Sequence, residues 1–350
     1  MFRAVMLLLV ITFAPSVASA QQPCTTDARQ VVNELYRHML ERSADPIPRL
    51  LERMAGLQAQ YAPSMYIGLW SRLDGFERDD LTRALEERSV VQGTLMRSTI
   101  HLVSRADYWP FALAVREARR TSWLRSTKRD PPEAAAEQVR AALAGGNTLR
   151  RKEIEALIGK EAAHGVGLWV DLVRAPPSGT WERRRADLYA LAEDWIGPPE
   201  IDEQAAQEHL VRRYLAGFGP ATAKDVASFT GLAAAVVDGL DLVRDGDLLD
   251  VAGAPRPDPD APAPPRFLGT WDASLLVHAR RTGLLPEEHR PKIFHTKAPQ
   301  SFPTFTVDGA VAGTWKHVDG RIELSPFGRL AAADRRALED EAEGLAALHA

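Results

Sequence analysis

The sequence predicts an α+β fold that is mainly helical and is built from small units that recur along the chain. Its 350 residues, 45% hydrophobic and 26% charged, have the composition of a globular protein with room for two or three units. Stretches with helical hydrophobic spacing are followed by short β-branched or alternating stretches. This succession returns after residue 130 and again after residue 200, which indicates duplicated small units.

The first unit is predicted over residues 28–130. Apolar residues at helical spacing predict three helices, namely Asp27–Arg42, Ile47–Leu57 and one opened by Asp79-Asp80. The segment Thr94–Val103 is rich in apolar and β-branched residues, which predicts one strand with Arg97 and His101 on the same face. Three helices followed by a β element are the order of a winged helix.

The second and third units are predicted over residues 131–200 and 201–330. The second has the predicted helices Pro132–Ala144 and Thr148–Ile158, the extended segment Leu168–Arg174 and a loop or wing over Pro176–Trp181. The third has the helix Gln204–Ala216, a capping box Thr222–Asp225 before the helix Val226–Thr230, a short helix Ala233–Leu240 and the alternating segment Leu242–Val251. This order is typical of a helix-turn-helix with a wing.

The rest of the third unit is a proline-rich loop and a small β meander. Ala254–Pro265 contains six prolines and is expected to be an exposed, extended loop. Pro303–Trp315 predicts a hairpin around Asp308-Gly309, a residue pair preferred in tight turns, and Asp319-Gly320 predicts a second turn. Residues 331–350 predict a C-terminal amphipathic helix.

Charge and composition bear on DNA binding, on disulfides and on metal binding. The net charge is −4, but residues 91–190 hold seventeen Lys and Arg against eleven Asp and Glu. A basic middle in an acidic chain fits a DNA-binding face, although scattered solvated arginines explain it as well. One cysteine, Cys24, excludes an internal disulfide, and the nine histidines have no paired-ligand spacing. We therefore expect no metal site and no cofactor.

Five segments, in the same order, resemble the AlkZ/YcaQ-type family of winged-helix bacterial DNA glycosylases. They are Gly56–Ser64 with the following Tyr66–Trp70 and Arg72–Phe76, then Leu95–Val103, Pro177–Trp181, Phe218–Asp225 and Val307–Trp315. The likeness covers roughly residues 28–330. It implies three tandem winged-helix units in a curved DNA-binding arrangement. It also implies excision of alkylated purines, including bulky adducts and, in some members, interstrand crosslinks.

The resemblance also implies the catalytic pair. The AlkZ-like branch carries glutamine, an aliphatic residue and glutamine at the catalytic position, which Gln58-Ala59-Gln60 matches, whereas the YcaQ-like branch has aspartate as the last residue. Ser98 departs from the pattern, because members of the family commonly have glycine there. Trp271-Asp272 also matches the family, but we assign Asp272 no catalytic role.

Two neutral amides suit this chemistry because an N-alkylated purine is already cationic and leaves without strong protonation. A glutamine carbonyl can accept a hydrogen bond from the attacking water and turn its negative end toward the developing positive charge. Residues two apart share a side only on an extended segment, so Gln58 and Gln60 are predicted to lie in a non-helical turn. The alternative is that both amides cap a helix end or bridge a loop.

Basic residues are predicted to contact DNA at three places. They are Arg97 and His101 on the strand, Arg183, Arg184 and Arg185 behind the wing, and Lys316 and His317 at the hairpin end. The alternatives are a partly buried, hydrogen-bonded pair for the first two and an exposed run on a helix for the three arginines. Trp315 is expected to pack in the core.

The predicted protein is a monomeric, monofunctional glycosylase that acts on double-stranded DNA with alkylated bases and leaves an abasic site. It is expected to need no metal, nucleotide or covalent lysine intermediate. The alternative is a non-catalytic winged-helix DNA-binding protein such as a transcription regulator. Sequence-specific binding without base release would favour that alternative.

The predicted location is cytoplasmic, at the nucleoid, although the N-terminal residues 1–24 taken alone predict export. Arg3, an apolar run and the small residues Ala18-Ser19-Ala20 resemble a secretory signal peptide, too short for a membrane anchor. We favour the other interpretation, an over-extended gene start, because the chain from about Ala28 onward predicts a cytosolic DNA-binding fold. No interaction with a membrane is expected.

Overall fold

The computed structural model describes residues 41–254, 263–277, 284–294 and 301–350. Residues 1–24, nearly all of the predicted helix Asp27–Arg42 and most of the proline-rich loop Ala254–Pro265 lie outside these ranges. The described chain combines helices with three sheets, so the α+β class is confirmed.

The first repeat has the order helix, strand, helix, helix, strand, strand. Its elements are α1 (Ile47–Arg53), β1 (Leu57–Gln58), α2 (Ala62–Trp70), α3 (Arg78–Glu86), β2 (Val90–Thr94) and β3 (Ile100–Ser104). The predicted helices at Ile47 and Asp79 are confirmed, although α1 stops earlier than expected. It ends because Ala55 and Gly56 adopt positive φ angles of 51° and 78°. Helix α2 is not among the predicted elements.

The single strand predicted over Thr94–Val103 is wrong. The chain reverses there through a 3₁₀ turn, Met96–Ser98, so that β2 and β3 form an antiparallel hairpin. Arg97 and Ser98 adopt φ angles of 52° and 57°, which no strand allows. The alternation misleads because Leu95 and Met96 are buried inside the turn, as strand residues would be.

The second and third repeats have the same order of elements. The second consists of α5 (Glu133–Leu143), β4 (Leu149–Arg150), α6 (Arg151–Ile158), α7 (Lys160–Ala163), β5 (Leu172–Arg174) and β6 (Leu188–Leu191). The third consists of α9 (Glu203–Phe218), β7 (Ala221–Thr222), α10 (Ala223–Thr230), α11 (Ala234–Asp238), β8 (Val243–Asp245) and β9 (Leu248–Asp250). The predicted capping box is confirmed, because Thr222 Oγ1 accepts a hydrogen bond from the Asp225 backbone and the Asp225 carboxylate accepts one from Thr222.

The repeats also share their strand pairing. In each one the first strand pairs with the third and the third with the second, all antiparallel. Strands β2 and β5 pair as well, with Gln92 opposite Arg174, and this joins the first two repeats in a six-stranded sheet of order β1-β3-β2-β5-β6-β4. The third repeat keeps its own sheet, β7-β9-β8.

Two helices lie between the repeats. The first is α4 (Arg105–Thr127) and the second is the short α8 (Ala192–Ile196). Helix α4 packs along α9 of the third repeat. At their contact the buried Asp107 carboxylate lies 2.7 Å from His209 Nε2 and 3.1 Å from Arg213 Nε. This ionic contact fixes the third repeat against the rest of the chain.

The C-terminal part is a meander followed by a helix. A four-stranded sheet contains β10 (Arg266–Leu268), β11 (Thr304–Val307), β12 (Ala310–Val318) and β13 (Arg321–Pro326). The short helix α12 (Arg290–Ile293) lies between β10 and β11, and α13 (Ala332–His349) follows β13. Asp308-Gly309 and Asp319-Gly320 make the two tight turns with positive φ, as predicted. Trp315 is 5% exposed and packs in the core, as expected.

A buried ion pair anchors the first repeat to this C-terminal part. Arg72, just after α2, and Asp272 are both 1% exposed, and their two hydrogen bonds measure 2.8 and 3.0 Å. Arg72 also donates to Gly68 O at 3.0 Å and to Ser274 Oγ at 3.1 Å. Asp272 therefore has a structural position, in agreement with assigning it no catalytic role.

Candidate active site

The Gln58-Ala59-Gln60 segment is not helical, as predicted. Gln58 ends β1 opposite His101, and the Ala59 backbone N–H continues the ladder by donating to Ile100 O at 2.7 Å. Helix α2 begins only at Ala62, with Pro63 in its first turn. The glutamines therefore lie on an extended segment that leads into a helix.

Gln58 is half-buried and is held by an arginine. Its Oε1 accepts a hydrogen bond from Arg97 Nη2 at 3.2 Å. Arg97 is itself fixed, because Nη1 donates to Phe229 O and the guanidinium lies 4.6 Å from the centre of the Phe229 ring. Burial lowers the pKa of Arg97 to about 10, so it remains a cation at neutral pH. A carbonyl oxygen has two lone pairs, so Gln58 keeps one with which to accept from a water molecule.

Gln60 is exposed and is held by the backbone. Its Oε1 accepts a hydrogen bond from the Ile100 N–H at 3.1 Å, where β3 begins. The two amides are thus fixed by different means, Gln58 by a cation from the β2–β3 turn and Gln60 by the strand that follows this turn. Both lie away from a sealed interior.

Arg97 and His101 contact each other, but not as residues on one face of a strand. His101 is 1% exposed, its Nδ1 lies 3.0 Å from Thr99 O, and its Nε2 lies 3.4 Å from Arg97 Nη2. Burial and the neighbouring Arg97 lower the pKa of His101 to about 3, so the ring is neutral at physiological pH. In this conformation His101 is almost fully buried, and its predicted contact to DNA stays a prediction. The buried, hydrogen-bonded alternative describes the pair.

The three arginines behind the wing are exposed on the loop between β5 and β6, not on a helix. Arg184 Nη1 donates to the Tyr61 hydroxyl at 3.3 Å, whereas Arg185 pairs with Asp187 at 3.0 Å. The loop is fixed from inside, because the buried Gln92 donates through Nε2 to Gly179 O at 2.9 Å. Arg183 is exposed on the same loop.

Lys316 and His317 are exposed on β12. Lys316 forms an ion pair with Glu323 on the neighbouring strand at 2.8 Å. The His317 ring stacks on the ring of His349, with centroids 4.3 Å apart and planes 15° apart. Partial burial lowers the pKa of His349 to about 4, so this ring is neutral at pH 7.

A cleft of about 500 Å³ brings several of these residues together. Its lining includes Tyr61, Arg184, Lys316, His317 and His349. Tyr61 directly follows Gln60, so the glutamine segment leads into the lining of this cleft. The structure thus unites one arginine of the wing with both basic residues of the hairpin, while Arg97 and His101 lie behind Gln58.

The sequence did not single out two residues of this cleft. Tyr61 had a usable signal, since it follows the glutamine pair and its ring is amphipathic. His349 had none, because it lies almost three hundred residues away on a helix with an ordinary charged face. In the described residues, no cluster of three or more His, Cys, Asp or Glu side chains is placed to bind a metal ion. No helix in the same ranges is long and apolar enough to span a bilayer.

Comparison with known proteins gives consistent results. A family model described as "DNA glycosylase AlkZ-like" matches residues 51–348. The chain is 24% identical over 351 residues to the interstrand DNA cross-link repair glycosylase of Streptomyces sahachiroi, a match that covers 89% of this chain and 93% of that protein.

The fold is similar to the solved structure of Streptomyces sahachiroi DNA glycosylase AlkZ. The TM-score is 0.73 at 21% sequence identity, and the match covers 92% of this chain and 96% of that one. At this identity the structural likeness shows a shared fold. The family model, in contrast, matches the sequence over most of the chain.

Proposed function

This chain belongs to the AlkZ-like family of DNA glycosylases, and on that premise we propose that it hydrolyses the N-glycosidic bond of alkylated purines in double-stranded DNA. The proposed substrates are purines alkylated at N7 or N3, including bulky and crosslinked ones. The relative from Streptomyces sahachiroi, which is described as an interstrand cross-link repair glycosylase, supports the inclusion of crosslinked substrates.

One observation carries the proposal: Gln58 and Gln60 lie on a non-helical segment that leads directly into Tyr61, which lines a cleft together with Arg184 and Lys316. The carbonyl groups of both amides are fixed by hydrogen bonds of 3.1–3.2 Å. Fixed dipoles stabilise developing charge because they need no reorganisation when the bond breaks. The proposed reaction is hydrolysis: the cationic alkylated purine leaves as a neutral base with the bonding electrons, amide-held water adds to the sugar carbon and releases one proton to solvent, and an abasic site remains.

The repeats supply the proposed DNA-binding scaffold. We interpret each one, with its helix-strand-helix-helix-strand-strand order, as a winged-helix unit, and the domain limits 28–130, 131–200, 201–330 and 331–350 stay our proposal. Arg183, Arg184, Lys316 and His317 are the proposed contacts to backbone phosphates. Arg185 shares its charge with Asp187 and is expected to contribute less. Arg97 has a supporting role through Gln58.

The proposed setting is the nucleoid, where a monomer acts without metal or cofactor. An enzyme of this kind is monofunctional, since the attacking group is water and not a lysine. Its product, an abasic site, is a substrate for the enzymes that cleave the DNA backbone at such sites.

The test is base release from a duplex that contains a single N7-methylguanine, measured under single-turnover conditions. Gln58→Ala and Gln60→Ala are each expected to slow release by about 10²-fold, the usual cost of removing one preorganised polar group, while the affinity for the duplex stays nearly unchanged. Gln138→Ala is the matched control, because Gln138 is an exposed glutamine on α5.

Three outcomes are informative. Loss of release in both variants with retained affinity supports the assigned pair. Undiminished release in both variants would overturn the mechanism. If the unmodified protein binds DNA in a sequence-specific manner and releases no base, the protein is a DNA-binding regulator and the glycosylase proposal fails.

A further inference from the structure

A second cavity, of about 420 Å³, lies apart from the glutamine pair, between α4 and the second repeat. Its walls come from the end of β2, the start of β5 and the turn that follows α7. The side chains of Thr94, Tyr108, Arg119, Trp123, Arg174 and Tyr189 line it. Its volume suits a small phosphorylated molecule.

Two guanidinium groups meet at one residue of this cavity. Arg174 Nη2 donates to Thr94 Oγ1 at 2.7 Å, and Arg119 Nη1 donates to Thr94 O at 2.8 Å. Arg174 is only 7% exposed, and its guanidinium lies 5.2 Å from the centre of the Tyr189 ring. Among the described residues, neither arginine has a carboxylate within ion-pair distance. Asp171 also lines the cavity, but its carboxylate is paired with Arg116 at 2.9 Å.

Three buried N–H donors in the cavity wall have no acceptor among the described protein atoms. They are Arg119 Nε, Trp123 Nε1 and Arg174 Nε. Buried donors are almost always hydrogen-bonded, and a buried unpaired cation is costly, so three such groups around one cavity require an explanation. An acceptor-rich anion that entered the cavity would supply the missing acceptors beside these donors and would neutralise the two guanidinium groups.

The cavity wall is built closely around these donors. A Cβ atom at Gly165 would lie 2.4 Å from the Trp123 ring, so the turn after α7 packs directly against the indole. Trp123 also contacts Trp169 edge to face, at 5.3 Å between ring centroids. Burial lowers the pKa of Arg119 to about 10, which still leaves it charged at neutral pH.

We propose that this cavity is a phosphate-binding site in which Arg119, Trp123 and Arg174 donate to the phosphate oxygens. The phosphate belongs either to the DNA backbone or to a free phosphate or nucleotide, since both present the same oxygens to these donors. The site adjoins the turn that holds Gln58, because Ser98, the neighbour of Arg97, also lines the cavity. A bound phosphate is therefore in a position to stabilise that turn.

The experiment measures binding of inorganic phosphate, of deoxyguanosine 5′-monophosphate and of a short undamaged duplex to the full chain by calorimetry. Trp123→Phe keeps the aromatic ring and removes the N–H, and Arg174→Met removes a charge at similar length. Each is expected to weaken phosphate binding about tenfold or more. The control is Arg244→Met, at an exposed arginine on β8 of the third repeat, which leaves the binding of all three probes unchanged. If Arg174→Met fails to fold, Trp123→Phe alone decides.

The outcomes separate the two sources. Binding of phosphate or the mononucleotide that is lost in both variants identifies a free ligand. If only the duplex binds, and Arg174→Met reduces the salt dependence of its affinity by about one ion, the ligand is a backbone phosphate. If neither variant changes the binding of any probe, the proposal is overturned. No base release is involved, so the proposed glycosylase activity stands or falls separately.

Discussion

The first repeat differs from the other two at the junction between its first strand and its second helix. In the second and third repeats the strand runs directly into the helix, since β4 ends at Arg150 and α6 begins at Arg151, while β7 ends at Thr222 and α10 begins at Ala223. In the first repeat three residues, Ala59, Gln60 and Tyr61, separate β1 from α2.

This difference shows how one scaffold acquires a site. Where strand and helix are continuous, the junction caps itself: Glu153 accepts from the Arg150 backbone at 2.6 Å, and Asp225 does the same for Thr222 at 3.1 Å. The three extra residues instead present Gln60 and Tyr61 to solvent. The repeats thus share one framework, and the three residues inserted between β1 and α2 carry the candidate catalytic glutamine Gln60.

The largest expected effect concerns how firmly the first repeat is anchored. Asp272→Asn leaves Arg72 as a buried cation without its carboxylate and is expected to lower the free energy of unfolding by about 3–5 kcal/mol. The control lies in the third repeat, where Arg244 and Asp238 are exposed and 3.9 Å apart. Asp238→Asn is expected to cost at most about 1 kcal/mol. Urea unfolding measures both, and equal losses would contradict the proposed anchoring.

Gly56 and Gly146, which precede the first strands of their repeats, make the next comparison. Both have positive φ, so Ala at either position costs about 1–2 kcal/mol. A Cβ at Gly56 would also lie 2.8 Å from Leu102 O, whereas one at Gly146 would meet no atom within 4 Å. Gly56→Ala is therefore expected to cost a further 1–3 kcal/mol or so and to slow base release, because β1 carries Gln58. Equal stability losses in thermal unfolding would refute this difference.

Arg97 tests whether the turn of the first repeat acts on the glutamine. Arg97→Lys keeps the charge, but a single ammonium cannot reproduce the guanidinium fork that joins Phe229 O to Gln58 Oε1. Base release is expected to slow about tenfold, which corresponds to roughly 1.4 kcal/mol, with unchanged duplex affinity. Arg244→Lys, on β8 of the third repeat, is the control and should leave the rate unaltered. A rate equal to that of the unmodified enzyme for Arg97→Lys would mean that Gln58 needs no such support.

The smallest effect is expected at the caps of the other two repeats. Asp225→Ala and Glu153→Ala each remove one capping interaction and should lower the free energy of unfolding by about 1 kcal/mol, without any change in base release. Chemical denaturation and the single-turnover assay measure the two quantities. Slower base release in either variant would show that catalysis depends on more than the first repeat.

The sequence predicts the fold where local chemistry determines structure. The Thr222–Asp225 cap and both Asp-Gly turns were predictable without tertiary information, because the conformation of each motif is determined by interactions among its own residues. Helix α4, in contrast, is absent from the predictions. Its residues Asp107–Val115 are all buried, so no polar face alternates with an apolar one, and Pro110 lies inside the helix.

The candidate site likewise has features that the local sequence predicts and features that depend on distant segments. The extended conformation of Gln58-Ala59-Gln60 was predictable, and the family resemblance behind its selection is confirmed. The burial of His101 was foreseen only as an alternative, because it depends on Arg97 and on the β2–β3 turn, which the strand pattern concealed. The cleft that unites Arg184 with Lys316 depends on segments more than a hundred residues apart, so no local pattern reports it.

The pairing of β2 with β5 makes neighbours of two repeats that would otherwise each expose a sheet edge. An unpaired strand edge can form backbone hydrogen bonds with another chain and so promote aggregation. Strands β2 and β5 cover each other's edges only while both repeats are folded. Damage to the second repeat would uncover β2, which lies two strands from Gln58 in the same sheet. Variants that unfold the second repeat are thus expected to aggregate and to lose activity together, although their positions lie far from the glutamines.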